Sequence, residues 1–278
     1  MNHFASYDGT EIAFRTLGQG RPLVCLPGGP GRSSEYLGDL GGLAGSRRLV
    51  LPDTRGTGAS QDAEDPETYR CDRLVADVEA LHAHLGFERI DLLGHSAAAG
   101  LAVLYAAAHP DRIDHLVLLT PGLAALGVEV TDDQEREVMR RRSGEPWYDE
   151  AAAAAEKAVA GDTSPETRLK YMPFLYGRWD DAAREHSTLG FSTRARKVRE
   201  RFFADGVFDP PATVASLAGL TAPVLIYGGE LDLIPAEALH EAAKSFRAGQ
   251  VAVQPGAGHF PWLDDPARFS AALSDFLG

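Results

Sequence analysis

The sequence predicts an α/β protein with a mostly parallel central sheet, helices on both faces and a helical insertion. Short apolar runs of strand length alternate with amphipathic segments up to residue 122, and this alternation returns after residue 213. Such alternation requires right-handed crossovers, which place parallel strands side by side. The stretch between the two parts is charged and helical, without a clear buried strand. We therefore predict a core domain of residues 1–122 and 214–278, with residues 123–213 forming a helical cap insertion.

The composition fits a large hydrophobic core and limits the possible partners. The chain has 278 residues, of which 44% are hydrophobic, and this is enough to fill one large domain. Twenty-seven basic and 40 acidic residues give a net charge of -13, which argues against nucleic acid and anionic membranes as partners. We expect a small-molecule or short-peptide substrate. The composition leaves the oligomeric state open.

The cysteines and the N-terminal residues bear on the compartment in which the protein is expected. Cys25 lies in a predicted strand and Cys71 near a predicted helix start, so neither suggests a disulfide framework. The N-terminal residues lack the basic and apolar regions of a secretion signal, and no apolar run approaches membrane-spanning length. His82 and His84 would point to different faces of a predicted helix and make a poor metal pair. We expect a cytoplasmic protein without a metal or other cofactor.

Three strands and a long helix are predicted in the first part of the chain. Residues 11–17 alternate apolar and polar side chains and predict an edge strand. Residues 22–26 form a short apolar run typical of a buried parallel strand, and residues 47–51 predict a third strand. The apolar positions between residues 72 and 85 fall on one helical face, and Gly86 ends that helix.

The second predicted strand runs into Pro-Gly-Gly-Pro-Gly, residues 27–31. Such a segment offers mainly shaped backbone, and it is a natural place for N–H donors aimed at an anion. A plain loop also fits, whereas a phosphate cradle is disfavoured because no Gly-Lys-Ser/Thr follows. A second glycine-rich turn over residues 53–60 contains Asp53, Arg55 and Ser60. We expect charge-assisted hydrogen bonds to hold that turn, which gives these residues a structural role.

The stretch 90–100 combines a strand, a sharp turn and a helix around one serine. An apolar run precedes Gly94, and a small-residue helix over residues 97–108 starts directly after Ser96. The nucleophile elbow has the pattern G-x-S-x-G because the positions two before and two after the serine must be small. Here the pattern is G-x-S-x-A, with Ala98 at the second small position. An ordinary strand-to-helix turn with a serine N-cap is the alternative.

The remaining predicted elements are one strand before the insertion, the helices of the insertion and the α/β alternation that follows it. Residues 115–120 predict the strand that follows the small-residue helix. In the insertion, Thr131 to Gln134 form a plausible capping box, and residues 146–160 predict an alanine-rich helix. The last part of the chain predicts two strands that alternate with two helices, over residues 223–229, 235–246, 250–254 and 266–277.

Asp232 and His259 follow the last two predicted strands. The carboxyl ends of parallel strands meet at one edge of a sheet, so Ser96, Asp232 and His259 are expected to converge there. A serine hydroxyl needs a neighbouring base to take its proton, and the base needs a carboxylate to fix its tautomer. We predict Ser96 as the nucleophile, His259 as the base and Asp232 as the orienting acid. Glu230 is the rival acid, but Asp232 lies further into its loop.

The order serine, aspartate, histidine, with the elbow in mid-sheet, resembles the α/β-hydrolase fold family over nearly the whole chain. Residues 27–31 followed by Asp-Thr-Arg-Gly-Thr-Gly-Ala-Ser at 53–60 look like the prolyl iminopeptidase group, whose usual motifs are H-G-G-P-G and D-x-R-G-x-G-x-S. The resemblance implies an oxyanion hole made by the backbone N–H groups of Gly29 and Ala97. It also implies that the insertion is the family's cap domain.

Two departures from the prolyl iminopeptidase pattern leave the substrate open. Pro27 replaces the first histidine of H-G-G-P-G, and the elbow sequence at residues 94–98 is Gly-His-Ser-Ala-Ala where G-G-S-W-G is usual. We predict a serine hydrolase that forms an acyl-enzyme on a small ester or amide and is prolyl iminopeptidase-like. The alternatives are an esterase or lactonase without peptidase activity and a ligand-binding, receptor-like homologue with little turnover.

An aminopeptidase must also bind the free ammonium group of its substrate, and the insertion offers several acids for this. Asp149, Glu150, Glu185 and Glu200 are available. A charged, solvated helical surface predicts the same residues without any function. The sequence therefore leaves the substrate-binding residues of the cap open.

Overall fold

The computed structural model describes residues 1–162, 164–192 and 196–278, in which eight strands form a single sheet. The strands are β1 (Asn2–Ala5), β2 (Glu11–Leu17), β3 (Pro22–Leu26), β4 (Arg48–Pro52), β5 (Ile90–His95), β6 (Ile113–Leu119), β7 (Val224–Gly229) and β8 (Gly249–Gln254). They lie in the order β1-β2-β4-β3-β5-β6-β7-β8. β1 and β2 are antiparallel to the strands beside them, and all other pairs are parallel.

The helices flank this sheet and fill the segment between β6 and β7. They are α1 (Cys71–Leu85), α2 (Ala98–Ala108), α3 (Asp132–Arg140), α4 (Tyr148–Val159), α5 (Pro165–Tyr171), α6 (Asp181–Ser192), α7 (Arg196–Phe202), α8 (Pro210–Leu217), α9 (Ala236–Ala243), α10 (Pro261–Asp264) and α11 (Pro266–Leu277). Among the described residues, none of these helices is long and apolar enough to cross a membrane.

The predicted α/β class with a mostly parallel sheet is confirmed, with one correction at its edge. Residues 11–17 do form a strand, but it is not an edge strand because β1 pairs outside it, from Asn2 opposite Phe14 to Ala5 opposite Glu11. β1 has four residues and buries only Phe4. Such a short segment shows no alternation of apolar and polar residues, and for this reason the sequence did not predict it.

The sheet separates two hydrophobic cores because successive side chains of a strand point to opposite faces. In β3, Val24 and Leu26 join the core under α1, α2, α8 and α9. Leu23 and Cys25 face the other side, where α11 covers the sheet. Cys25 and Cys71 are both buried and free, as expected for a chain without a disulfide framework.

Within the described residues, the segment between β6 and β7 consists of helices joined by loops and contains no strand. The predicted capping box is present, since the Thr131 hydroxyl accepts from the Gln134 N–H and the Gln134 side chain accepts from the Thr131 N–H. Met139, Ala151 and Phe174 form a small separate core together with Leu233 from the loop after β7. α8 packs against α2 and so belongs to the helix layer over the sheet. The cap boundaries at 123 and 213 stay a prediction.

Candidate active site

Ser96 lies in a sharp turn between the central strand β5 and the helix α2. Its φ of 56° is in the left-handed region, which L-residues other than glycine rarely adopt. The close approach of strand and helix requires glycine at position 94, because a Cβ there would lie 2.5 Å from the carbonyl oxygen of Ala98. Ala98 is buried and begins the helix. The methyl group at the second small position is therefore accommodated.

Asp232 and His259 meet through their side chains at the carboxyl edge of the sheet. His259 Nδ1 lies 3.1 Å from both carboxylate oxygens of Asp232. Asp232 is 2% exposed, and its Oδ1 also accepts the backbone N–H of Leu233 at 2.8 Å. Because a carboxylate can only accept, His259 Nδ1 donates to Asp232, and the neutral form of the ring then has its lone pair on Nε2.

The rival acid Glu230 makes a different contact. Its Oε2 accepts the backbone N–H of Gly256 at 2.7 Å, and the side chain is exposed. Glu230 thus holds the loop after β8, while Asp232 faces the ring of His259.

Ser96 and His259 line the same cavity, whose volume is about 470 Å³. In the described part of the chain, Ser96 makes no side-chain hydrogen bond to His259. Such a contact is often long in an unliganded site and tightens when substrate binds. The structure therefore brings Ser96, Asp232 and His259 to one edge of the sheet, while their chemical roles stay predictions. Within the described ranges, no cluster of side chains could hold a metal ion.

The predicted oxyanion-hole residues lie on either side of the elbow. Gly29 lines the cavity together with Ser96, and Ala97 directly follows Ser96. Neither backbone N–H has an acceptor among the described residues, which leaves both free to bind a ligand oxygen. Gly28 packs directly on the elbow, because a Cβ there would lie 2.8 Å from the Ser96 Cβ and 2.5 Å from the His95 carbonyl oxygen.

A buried hydrogen-bond chain connects the glycine loop, the elbow and the His259 loop. The Gly28 N–H donates to the Tyr36 hydroxyl at 2.8 Å, and this hydroxyl lies 2.6 Å from His95 Nδ1. His95 Nε2 lies 3.1 Å from the carbonyl oxygen of His259, which also accepts from Thr120 Oγ1 at 3.0 Å. A carbonyl can only accept, so His95 Nε2 donates and Nδ1 accepts the Tyr36 proton. Burial holds the pKa of His95 well below its usual value, so the ring is neutral.

Tyr36 holds the glycine loop where this sequence departs from the H-G-G-P-G pattern. Pro27 stands in place of the histidine of that pattern, and the Tyr36 hydroxyl accepts the N–H of the following residue, Gly28. Sequence reasoning missed Tyr36 because it lies outside the motif, in a short 3-10 helix.

The turn at residues 53–60 has the structural role that the sequence predicted. Asp53 accepts the backbone N–H groups of Ser34 at 2.8 Å and Ala59 at 2.9 Å. Arg55 is fully buried, and it donates to Asp77 and Asp8 at 2.7 Å each. The turn therefore fixes the segment just after the glycine loop.

The charged residues on the cavity wall differ from those that the sequence suggested. Asp149, Glu150, Glu185 and Glu200 are exposed and do not line the cavity. The charged side chains that line it are Arg32, Glu135, Asp162 and Arg168. Burial, together with Asp132 and Asp232, raises the pKa of Glu135. Only Arg32 could have been suspected from sequence, since it directly follows the glycine loop.

Comparisons with known proteins agree with the fold. The family model for the alpha/beta hydrolase fold matches residues 21–266. A proline iminopeptidase from Heyndrickxia coagulans is 25% identical, over 99% of this chain and 97% of the relative. The structure of a proline iminopeptidase from Mycobacterium smegmatis has a TM-score of 0.75 at 21% identity, covering 99% of this chain and 97% of that one. The esterase RhEst1 from Rhodococcus sp. ECU1013 has a TM-score of 0.72 at 27% identity, with 99% and 98% coverage.

Proposed function

The chain belongs to the alpha/beta hydrolase fold family, and we propose that it is a serine hydrolase that cleaves a small ester or amide through an acyl-enzyme. The observation that carries this proposal is the contact of the His259 ring with both oxygens of the buried Asp232 carboxylate, since His259 lines the same cavity as Ser96. This contact matches the geometry that the base of a serine hydrolase needs from its orienting acid.

Each residue has one task in this reaction. Ser96 Oγ attacks the carbonyl carbon of the substrate while His259 Nε2 takes its proton, and Asp232 stabilises the imidazolium that forms. The N–H groups of Gly29 and Ala97 donate to the carbonyl oxygen as it becomes negative. His259 then protonates the leaving group, and the acyl group stays on Ser96. Water, deprotonated by His259, hydrolyses that ester and restores the enzyme.

The size and the walls of the cavity support a small substrate. A volume of about 470 Å³ suits a small organic molecule or a short peptide. Gly29 and Ser96 supply its floor from the sheet domain, whereas Met139, Tyr171 and Tyr176 come from the segment 123–213. We propose that this segment acts as the cap over the site.

The relatives leave two substrate classes to compare, esters and amino-terminal amides. Proline iminopeptidases and an esterase are similar to the chain to comparable degrees. An aminopeptidase site needs a carboxylate for the substrate's ammonium group. Of the two acids on the cavity wall, Asp162 is engaged by Ser164 and Thr167, so Glu135 is the one that could serve. Amide cleavage also demands more of the site, because the leaving amine must be protonated as it departs. We propose ester hydrolysis as the faster reaction and cleavage of proline amides as the slower one.

Turnover of p-nitrophenyl acetate and of proline p-nitroanilide tests this function. Ser96→Ala should lower kcat by several orders of magnitude, on the order of a million-fold by analogy with other serine hydrolases. Ser187→Ala is the matched control, since Ser187 lines the same cavity but its hydroxyl donates to the Arg184 carbonyl. That variant should keep most of the activity. If Ser96→Ala retains activity within about tenfold of the wild type, the nucleophile is wrong.

The same substrates separate the alternatives. Faster cleavage of the proline amide than of the ester would make the aminopeptidase the primary function. If acetylation of the substrate's amino group leaves amide cleavage unchanged, no acid of the cap binds the ammonium, and the aminopeptidase function is excluded. Absence of both turnover and labelling by a fluorophosphonate would favour a ligand-binding protein.

A further inference from the structure

The guanidinium group of Arg32 is buried in the wall of the candidate active site without an acidic partner. Arg32 is 6% exposed and lines the cavity together with Ser96 and His259. Its Nε has no hydrogen-bond acceptor, and the side chain forms no ion pair within the described residues. One terminal nitrogen donates to the carbonyl oxygen of His186 at a distance of 3.4 Å. The N–H groups of this cation are therefore incompletely satisfied.

The groups around Arg32 are neutral. Its guanidinium carbon lies 3.5 Å from the centre of the Tyr36 ring and 5.6 Å from that of Phe260. His186 Nε2 donates to the Tyr36 carbonyl oxygen at 3.0 Å, and its Nδ1 lies 2.8 Å from the Tyr176 hydroxyl, which can donate to it. These contacts suit an uncharged imidazole, and burial lowers the pKa of His186 to about 4.

Arg32 itself keeps its charge at neutral pH. Burial lowers its pKa to about 10, well above the pH at which the protein would work. The faces of the aromatic rings attract the cation, but they offer no oxygen or nitrogen acceptor for the N–H groups that point outward in the guanidinium plane. A buried charge without a partner destabilises the folded state, so an anion that enters the cavity would gain an unusually strong contact. The planar fork of a guanidinium matches a carboxylate, which it binds through two parallel hydrogen bonds.

The position of Arg32 connects this contact with the reaction. Arg32 lies three residues after Gly29 in the same loop. The two residues are in close contact, because a Cβ on Gly29 would lie 2.8 Å from the Arg32 Cβ. On the premise that the chain is a serine hydrolase, we propose that Arg32 binds a carboxylate of the substrate. The natural ester or amide would then carry a free carboxylate near the carbonyl that Ser96 attacks.

The acids of the cavity do not favour the opposite charge. Asp162 already accepts the backbone N–H of Ser164 at 2.9 Å and the hydroxyl of Thr167 at 2.6 Å. Glu135 is close enough to Asp132 and Asp232 for their charges to oppose its ionisation. Of the four charged residues on the cavity wall, Arg32 is the most deeply buried, and within the described residues no acid forms an ion pair with it. This difference favours an anionic substrate over one recognised by its ammonium group.

Two pairs of matched esters test the proposal. The first pair is the acetyl esters of meta-hydroxybenzoate and meta-hydroxybenzamide, which differ by a carboxylate in the leaving group. The second pair is p-nitrophenyl hydrogen adipate and its methyl ester, which differ by a carboxylate in the acyl group. In at least one pair, the wild type should prefer the carboxylate ester by about a hundredfold in kcat/KM. Arg32→Gln should bring this ratio close to one, and Arg32→Lys should keep part of it.

The ratio of kcat/KM for the two esters of a pair distinguishes loss of carboxylate binding from a distorted oxyanion loop. A distorted oxyanion loop would slow both esters of a pair, and the effect would cancel. Arg168→Gln is the control, since Arg168 is a second cation on the cavity wall and this variant should keep the preference. The proposal is wrong if the wild type hydrolyses both esters of each pair equally well, if Arg32→Gln keeps the preference, or if Arg168→Gln removes it. In those cases the hydrolase function stands. If no ester is hydrolysed and Ser96 is not labelled by a fluorophosphonate, the hydrolase function fails, and this inference falls with it.

Discussion

Asp232 and Glu230 follow the same strand, but only Asp232 is in contact with His259. Asp232→Asn should lower kcat by about ten-thousand-fold, because an amide at this position favours the wrong tautomer of the base. Glu230→Gln, which alters only a contact with the Gly256 N–H, should change kcat little. Steady-state kinetics on a p-nitrophenyl ester compares the two variants. Large damage from Glu230→Gln together with an active Asp232→Asn would reverse the assignment.

The hydroxyl of Tyr36 connects the two loops that hold the reacting groups. Tyr36→Phe removes the acceptor of the Gly28 N–H and the donor to His95. We expect kcat to fall by about tenfold or more with little change in KM, because misplacing a catalytic group weakens transition-state stabilisation. Tyr105→Phe is the matched control. The Tyr105 hydroxyl donates to Glu79 at a distance of 2.8 Å, and Tyr105 does not line the cavity. Equal loss of activity in the two variants would show a general loss of stability and no positioning role.

The glycine loop and the elbow lie in direct contact. Gly28→Ala would place a methyl group 2.5 Å from the His95 carbonyl oxygen, so the loop that carries Gly29 must move away from Ser96. One oxyanion donor contributes roughly 3 kcal/mol, and its displacement should lower kcat by about a hundredfold. Gly45→Ala serves as the control, because a Cβ there meets nothing within 4 Å. An active Gly28→Ala enzyme would mean that Gly29 donates no essential hydrogen bond.

The elements that could be predicted are those with a strong local pattern. Buried strands and amphipathic helices follow from periodicity, and the strand-turn-helix around Ser96 follows from its small residues. β1 could not be predicted, because its stability comes from pairing with β2 and from one buried residue, Phe4. The position of Asp232 further into its loop favours it over Glu230, and in the structure Asp232 contacts His259.

The cavity wall could not be predicted, for a different reason. The hydrogen bonds of Tyr36 and His95 and the isolation of Arg32 depend on segments that are distant in sequence. Charged residues in the insertion look alike in sequence, and only packing separates Glu135 from the exposed Glu185. Composition and periodicity report burial of apolar side chains, but they carry little information about which polar groups meet.

The folded molecule holds His186 neutral, and this affects its stability towards acid. The pKa of His186 is lowered from 6.5 to about 4, so the unfolded chain binds a proton first as the pH falls. The contribution of His186 to the free energy of unfolding is fully present above pH 6.5 and is lost between about pH 6.5 and 4. At pH 5 the loss should be about 2 kcal/mol relative to neutral pH.

Urea unfolding at neutral pH and at about pH 5 measures this loss in the wild type and in His186→Gln. The difference between the two proteins cancels the other titrating groups. The variant should lose less stability on acidification by about 2 kcal/mol. Identical losses in both proteins would show that His186 is accessible to protons in the folded state.

The central claim is that Ser96 forms a covalent acyl-enzyme with the help of His259. Mass spectrometry of the protein after reaction with a fluorophosphonate tests it most directly, because the adduct stays on the nucleophile. We predict one adduct per chain, located on the peptide that contains Ser96, absent in Ser96→Ala and formed much more slowly in His259→Ala. An adduct on another residue, or unchanged labelling of Ser96→Ala, would contradict the account.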